Sequence, residues 1–335
     1  MSAAYAELVR FVIIGAGAIG GVVGARLHQA SHDVTLIARG AHYEAIRDHG
    51  LTIEDPDARS VLRVHVTDGP ESVAWTPDDV VLLTTKTQDS NAALHALAQA
   101  TPASTPVLCV QNGVENERLA LRLFANVYGG VVMLPAAHLK PGIVQAYGTT
   151  VTGIIDVGCY PHGLDDRCHA IASALRRSRL ESTARPDIMR YKHAKLVTNL
   201  GNAVEAMCSP GPAVAQLIER ARAEGREVLG AAGIEFVAEE VDDVRGRWAR
   251  FGVGEIDGRP RAGSSTRQSL ARAIGSVESD YLNGEIVLLG RLHGVPTPVN
   301  ELLSRSIDIV ARERREPGNV SAEELLAALP RVTRP

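Results

Sequence analysis

An α/β domain followed by an all-helical one is the fold class this sequence predicts, and three observations carry the prediction. Short apolar runs rich in β-branched residues, such as Phe11 to Ile14 and Asp79 to Thr84, alternate with amphipathic stretches. That is the pattern of buried parallel strands joined by helices. The first run leads straight into Gly15-Ala16-Gly17-Ala18-Ile19-Gly20, a G-x-G-x-x-G turn at the start of a helical stretch. Beyond Pro186 the alternation stops and the chain reads as one helix after another. The boundary is placed between 186 and 187, giving a Rossmann-type domain over 1–186 and a helical domain over 187–335.

Phe11 to Ile14 is the first strand. In the turn after it, Gly15 permits a tight bend, Gly17 lets the backbone approach a pyrophosphate, and Gly20 lets the helix pack closely on the strand. Ile19 to Ala30 forms that helix, its positive N-terminal end toward the phosphates. Asp33 to Ala38 is the second strand, so residues 15–20, including Ala16, Ala18 and Ile19, are expected to bind a dinucleotide. An acid usually ends the second strand of an NAD site and accepts hydrogen bonds from the ribose. Here Arg39 ends it, with no acid beside it. A guanidinium suits a 2′-phosphate through bidentate, charge-assisted bonds, which favours NADP(H) over NAD(H).

Ala41 to His49 reads as a helix, and Leu51 to Ile53 and Val61 to Val66 as strands about the Asp55-Pro56-Asp57 turn. Asp79 to Thr84 is a strand running into Lys86. Gln88 to Gln99 is a helix, and Pro106 to Val110 a strand ending in Gln111-Asn112-Gly113. Lys86 and Asn112 thus follow strand C-termini, the edge where open α/β sheets bind ligands; solvated loop residues read the same way. From Val127 to Ile155 come three extended segments, the last two as a hairpin or a sheet extension, and Leu164 to Arg177 is an amphipathic helix.

In the second domain, Tyr191 to Met207 reads as one helix with Leu196, Val197, Leu200, Ala203, Val204 and Met207 facing the core. Lys195, Asn199 and Asn202 share a polar stripe beside them at i, i+4 and i+7. The stripe either binds an oxygen-rich substrate or is a solvated face. Asp242 to Ala262 gathers Arg245, Arg247, Arg250, Arg259 and Arg261 around Trp248, as a lid presenting cations or as an exposed loop. Val277 to His293 and Glu301 to Arg315 are further helices, and Ser321 is an N-cap with Glu324 at capping-box spacing.

Composition bounds the rest. A length of 335 residues supports two cores, and 45% hydrophobic residues with a net charge of −4 describe an ordinary soluble protein. No basic excess points to nucleic acid, no apolar run approaches a membrane span, and no signal core precedes the first strand. Cys109, Cys159, Cys168 and Cys208 form no C-x-x-C pair or metal-ligand cluster, so no metal is expected and reduced cytoplasmic thiols are the simple reading.

Together these motifs resemble the ketopantoate reductase (2-dehydropantoate 2-reductase) family, 6-phosphogluconate dehydrogenase-like proteins with a Rossmann domain and a helical C-terminal domain. The resemblance rests on GAGAIG at 15–20, LIAR ending at Arg39, KTQD from Lys86, QNGVEN from Gln111 and KLVTN from Lys195. Paired Ser264 and Ser265, ESDYLNG from Glu278 and HGVPTPVN from His293 complete it. It implies an NADPH-dependent reduction of a 2-oxo acid. Lys195 matches the catalytic lysine that protonates the ketone oxygen, and Glu278 the glutamate that binds the substrate hydroxyl. Asn199 matches an asparagine that positions the substrate, and one of Ser264 or Ser265 a serine contacting its carboxylate. Arg39, Lys86 and Asn112 match cofactor-cleft residues. The family's second helix asparagine stands at i+8 from the lysine; here i+8 is Ala203, and Asn202 is at i+7. A related reductase of another branched 2-oxo acid, or an NADP-binding regulator without turnover, stays open, as does pairing into a homodimer.

Overall fold

A computed structural model describes residues 9–239, 242–261, 263–273 and 275–330. The chain forms two compact units: residues through Lys192 together with Ala238–Arg261, and His193–Val237 together with Ala262–Pro335. This differs from a single cut at 186/187. The chain returns to the first unit after leaving it, and nothing in composition marks that return.

Among the described residues, the first unit holds twelve strands. They are β1 (Arg10–Ile14), β2 (Val34–Ile37), β3 (Leu51–Glu54), β4 (Arg59–Leu62), β5 (His65–Thr67) and β6 (Asp79–Leu83). Then come β7 (Val107–Cys109), β8 (Val127–Met133), β9 (Ala136–Lys140), β10 (Ile143–Ala146), β11 (Gly153–Cys159) and β12 (Leu180–Glu181). Between them run α1 (Ala18–Gln29), α2 (Gly40–His49), α3 (Thr87–Ala100), α4 (Asn116–Leu121) and α5 (Asp166–Arg177), with α6 (Ile188–Asn199) after β12. Eight strands form one sheet in the order β12-β11-β8-β7-β6-β1-β2-β5. Its pairs are parallel except β8 with β11.

Alternation along the central strands decides the two faces, because successive side chains point opposite ways. Phe11, Ile13, Leu36, Leu82 and Leu108 are buried on one face, in a cluster with Val22 and Val23 of α1. Val12, Val81, Leu83 and Val107 are buried on the other, with Leu94 and Leu97 of α3 and Phe124. Both faces are covered, which is why these strands read as continuous apolar runs.

A second, four-stranded sheet runs β4-β3-β10-β9. One expectation changes here, and of hairpin or sheet extension the second holds. Val61 to Val66 is not one strand: β4 pairs with β3, whereas β5 joins the large sheet beside β2. The segments at 143–146 and 153–159 do not form a hairpin with each other, since β10 pairs with β3 and β9 and β11 pairs with β8 and β12.

The arginine-rich segment is a docked part of the first unit, neither an exposed loop nor a free lid. Asp242 caps the Asp243–Ala249 helix through Val244 N and Arg245 N. Arg247 and Arg185 both reach the fully buried Asp156, and Arg185 also meets Asp243 at 2.5 Å. Trp248 and Phe251 pack with Val131, Ile154 and Ile188. Farther on, Thr149 N donates to Gly252 O and Gly254 N to Tyr147 O, and Ile256 is buried with Ala137 and Tyr147.

In the second unit the expected Tyr191–Met207 helix is broken. α6 ends at Asn199 and a new helix spans Asn202–Met207. Arg222 donates to Thr198 O at 3.1 Å and Asn283 to Leu200 O at 3.0 Å. Side chains thus occupy carbonyls that a continuing helix would need for its own ladder. Pro212–Ala231, Asn283–His293 and Pro298–Arg312 supply the longer helices around them. The buried Asn300 ties them together, accepting from Asn283 Nδ2 and donating to Ala221 O and Glu224. Ser321 caps Ala322–Ala328 as expected, accepting from Glu324 N.

Candidate functional site

The glycine turn follows β1. Gly15 has φ +99°, and a Cβ there would press on Thr85 N at 2.9 Å. A Cβ on Gly20 would overlap Gly15 O and Thr84 Oγ1, so only glycine lets α1 pack this close to β1. Around Gly17, by contrast, a Cβ would meet nothing within 4 Å, which leaves room above the turn for a ligand. Thr84, just past β6, donates to Ile14 O and Gly15 O and pins the turn. Gly17 caps α1 without a side chain, and no acid stands in its first turn. A helix start with free amides and no competing carboxylate suits a pyrophosphate, so residues 15–20 fit a dinucleotide.

Arg39 lies just past β2, exposed and without an ion pair among the described residues, where a 2′-phosphate would find it. Lys86 begins α3 after β6, and Asn112 follows β7. Because β1, β6 and β7 are parallel neighbours, Gly15, Lys86 and Asn112 share the C-terminal edge of the sheet. Three acceptors in the 111–116 turn, Gln111 Oε1, Asn112 Oδ1 and Asn116 Oδ1, are buried without a hydrogen-bond partner among the described residues. Buried amide oxygens of this kind are acceptors open to a ligand or an ordered water.

Two supports of this edge had no signal in the sequence. His42 Nδ1 accepts from Gly142 N at 2.8 Å, so its protonated Nε2 donates to Ala16 O at 2.7 Å. It thereby clamps the glycine turn to the second sheet, and burial lowers its pKa more than the bond to Ala16 raises it. Lys192, buried on α6, meets Glu117 at 2.5 Å and donates to Gln111 O at 3.0 Å. Burial pushes the Glu117 carboxyl up, and Lys192 pulls it back down. Motif reading passes over both because each depends on a contact between segments 75 or more positions apart.

In the second unit, Lys195 and Asn199 lie one turn apart on α6. Asn199 Nδ2 is buried without a partner among the described residues. Asn202 does not continue their stripe; it opens the next helix. Ser264 is the N-cap of the Ser265–Ala271 helix, accepting from Arg267 N at 3.3 Å, while Ser265 is exposed. Glu278, half-buried, precedes the 3-10 turn Ser279–Tyr281.

The cysteines are all free, but the reading that they join no ligand cluster needs correction: ligand atoms of Cys159, Asp165 and Cys168 lie within 4.8 Å of one another. The C-x8-C spacing hid this. Asp165 is already engaged as N-cap of α5 and as acceptor of the Tyr128 hydroxyl.

Comparison with known proteins covers most of the chain. The ketopantoate reductase PanE/ApbA family matches residues 11–162, and its C-terminal counterpart residues 187–311. The 2-dehydropantoate 2-reductase of Archaeoglobus fulgidus is 33% identical over 306 residues, 88% of this chain and 95% of that protein. Among solved structures, a PanE/ApbA family ketopantoate reductase from Ralstonia eutropha is 28% identical, with a TM-score of 0.77 over 91% of this chain and 99% of that one. D-mandelate dehydrogenase with NADH and anilino(oxo)acetate has a TM-score of 0.76 over 91% of this chain and 99% of that one; at 22% identity it shows likeness of fold alone. On the two family matches and this level of identity, the chain belongs to the ketopantoate reductase family of oxidoreductases.

Proposed function

We propose that the protein reduces a 2-oxo acid with NADPH, and that the acid is 2-dehydropantoate, giving pantoate for pantothenate biosynthesis. The observation that carries this reading is the acid-free glycine turn with Arg39 ending the neighbouring strand. The bound nicotinamide supplies the hydride. The chain supplies the rest: Gly15–Gly20, Lys86 and Asn112 hold the cofactor, and Arg39 holds its 2′-phosphate. The Lys195 ammonium stabilises negative charge growing on the carbonyl oxygen and gives that oxygen its proton. Glu278 accepts a hydrogen bond from the substrate hydroxyl, Asn199 and Asn202 orient the substrate, and Ser264 or Ser265 takes its carboxylate. Ser264 as cap acceptor keeps its hydroxyl proton to donate, which favours it over the exposed Ser265. Four free cysteines suit a cytoplasmic enzyme. No helix among the described residues is long and apolar enough to cross a membrane.

One observation favours another branched 2-oxo acid as substrate. Ala203 is 2% exposed and Asn202 starts a separate helix, so the second substrate amide is displaced from its usual register. Following NADPH absorbance with a panel of 2-oxo acids separates the two, and NADPH binding without oxidation by any of them would instead favour a regulator. Lys195→Ala should lower turnover by roughly 10²–10⁴-fold with NADPH binding unchanged. Full turnover in that variant would remove Lys195 from the chemistry.

A further inference from the structure

Most sunken arginines of the first unit face a carboxylate. Arg10 meets Asp79, Arg26 meets Asp55, and Arg185 and Arg247 meet Asp156. Arg261 differs. The residue is half-buried, its one hydrogen bond among the described residues is a long Nε contact to Ala136 O at 3.4 Å, and it makes no ion pair there. Burial lowers its pKa, with nearby Tyr147 as the only opposing influence. Both terminal amino groups are left for a ligand, in the fork geometry that matches a carboxylate.

Topology says which end of a bound dinucleotide this cation serves. β8 is parallel to β7, so its C-terminus lies on the same sheet edge as Gly15, Lys86 and Asn112. Ala136 comes three residues past Met133, the last residue of β8. Arg39, the 2′-phosphate residue, follows β2, on the far side of β1. β8 is three strands from β1 in the other direction, about 14 Å away at the usual strand spacing. Ala136 itself opens β9, the strand of the second sheet that leaves from this end of the edge. The reacting end of the cofactor and its substrate are the groups this side of the edge would meet.

The geometry points to Arg261 as a second binding residue for the carboxylate of the 2-oxo acid, added to the serine and held bidentately at the β8 end of the sheet edge. The assignment rests on the proposed reduction and adds a residue that the family motifs do not mark. The docked arginine segment thereby acquires a purpose. Arg247 anchors it on Asp156, the 252–254 backbone pairs with 147–149, and the chain then delivers Arg261 to Ala136.

The test compares wild type, Arg261→Met and Arg261→Lys on a 2-oxo acid and on its neutral methyl ester, with NADPH affinity measured alongside. Arg261→Met should raise KM for the acid by about 100-fold, with Arg261→Lys between the two. The ester's KM and the NADPH affinity should not move. A KM loss equal for acid and ester, or no loss, overturns the assignment even where turnover stands. Should no 2-oxo acid oxidise NADPH, the reaction falls separately. Oxamate binding to the NADPH-loaded protein then decides: binding lost in Arg261→Met upholds the carboxylate site, and absent or Arg261-independent binding overturns it.

Discussion

In the proposed function a single exposed charge, Arg39, sets the choice between two cofactors that differ by one phosphate. Arg39→Ser should weaken NADPH binding by roughly 10- to 100-fold and leave NADH binding nearly as it was, measured by titrating nucleotide fluorescence. Equal losses for both nucleotides would mean that Arg39 does not read the phosphate. Its position was legible because a strand end after a glycine turn is fixed by spacing alone. His42 was not legible, since its partners Ala16 and Gly142 are brought to it by folding. The folded protein holds this imidazole below its ordinary value of 6.5, mainly by burial. The unfolded chain therefore binds the extra proton first as pH falls. The contribution of His42 is complete above about pH 6.5 and drains away below it, toward the folded pKa. Urea unfolding from neutral to mildly acid pH should show a shallower loss in His42→Gln than in wild type. Parallel slopes would sink the idea.

Among the elements, α6 shows most plainly where pattern reading succeeds and where it stops. Its apolar stripe and the Lys195–Asn199 spacing follow from helical period alone. Its end does not, because Arg222 and Asn283 arrive from distant helices to take the carbonyls of Thr198 and Leu200. Its Lys192 is paired with Glu117, both side chains at most 2% exposed. Removing one member of such a pair strands a buried charge. Lys192→Met should lose about 3–5 kcal/mol in denaturant unfolding, and Lys192→Met with Glu117→Leu should recover much of it. A double variant no better than the single one would show that the pair does more than neutralise itself. The same variants report on the 111–117 turn, because Lys192 also holds the Gln111 carbonyl.

For the whole molecule, strand and helix alternation revealed the class of fold, and its ordered motifs revealed the family. The second sheet and the return of 238–261 stayed hidden, because both depend on pairing between segments far apart in sequence. The return bears on any attempt to isolate the sheet unit. A fragment ending at residue 186 lacks Arg247 and Asp243 and the Trp248–Phe251 packing, so Asp156 keeps only one of its two arginines, Arg185. It should melt well below a fragment in which 1–192 is joined by a short linker to 238–261, by circular dichroism. Equal melting points would show the segment to be dispensable. A discontinuous unit also sets an order of events during synthesis. Translation must pass Arg261 before the first unit can dock its last piece, so the helices of 193–237 emerge from the ribosome while the earlier half is still waiting for it.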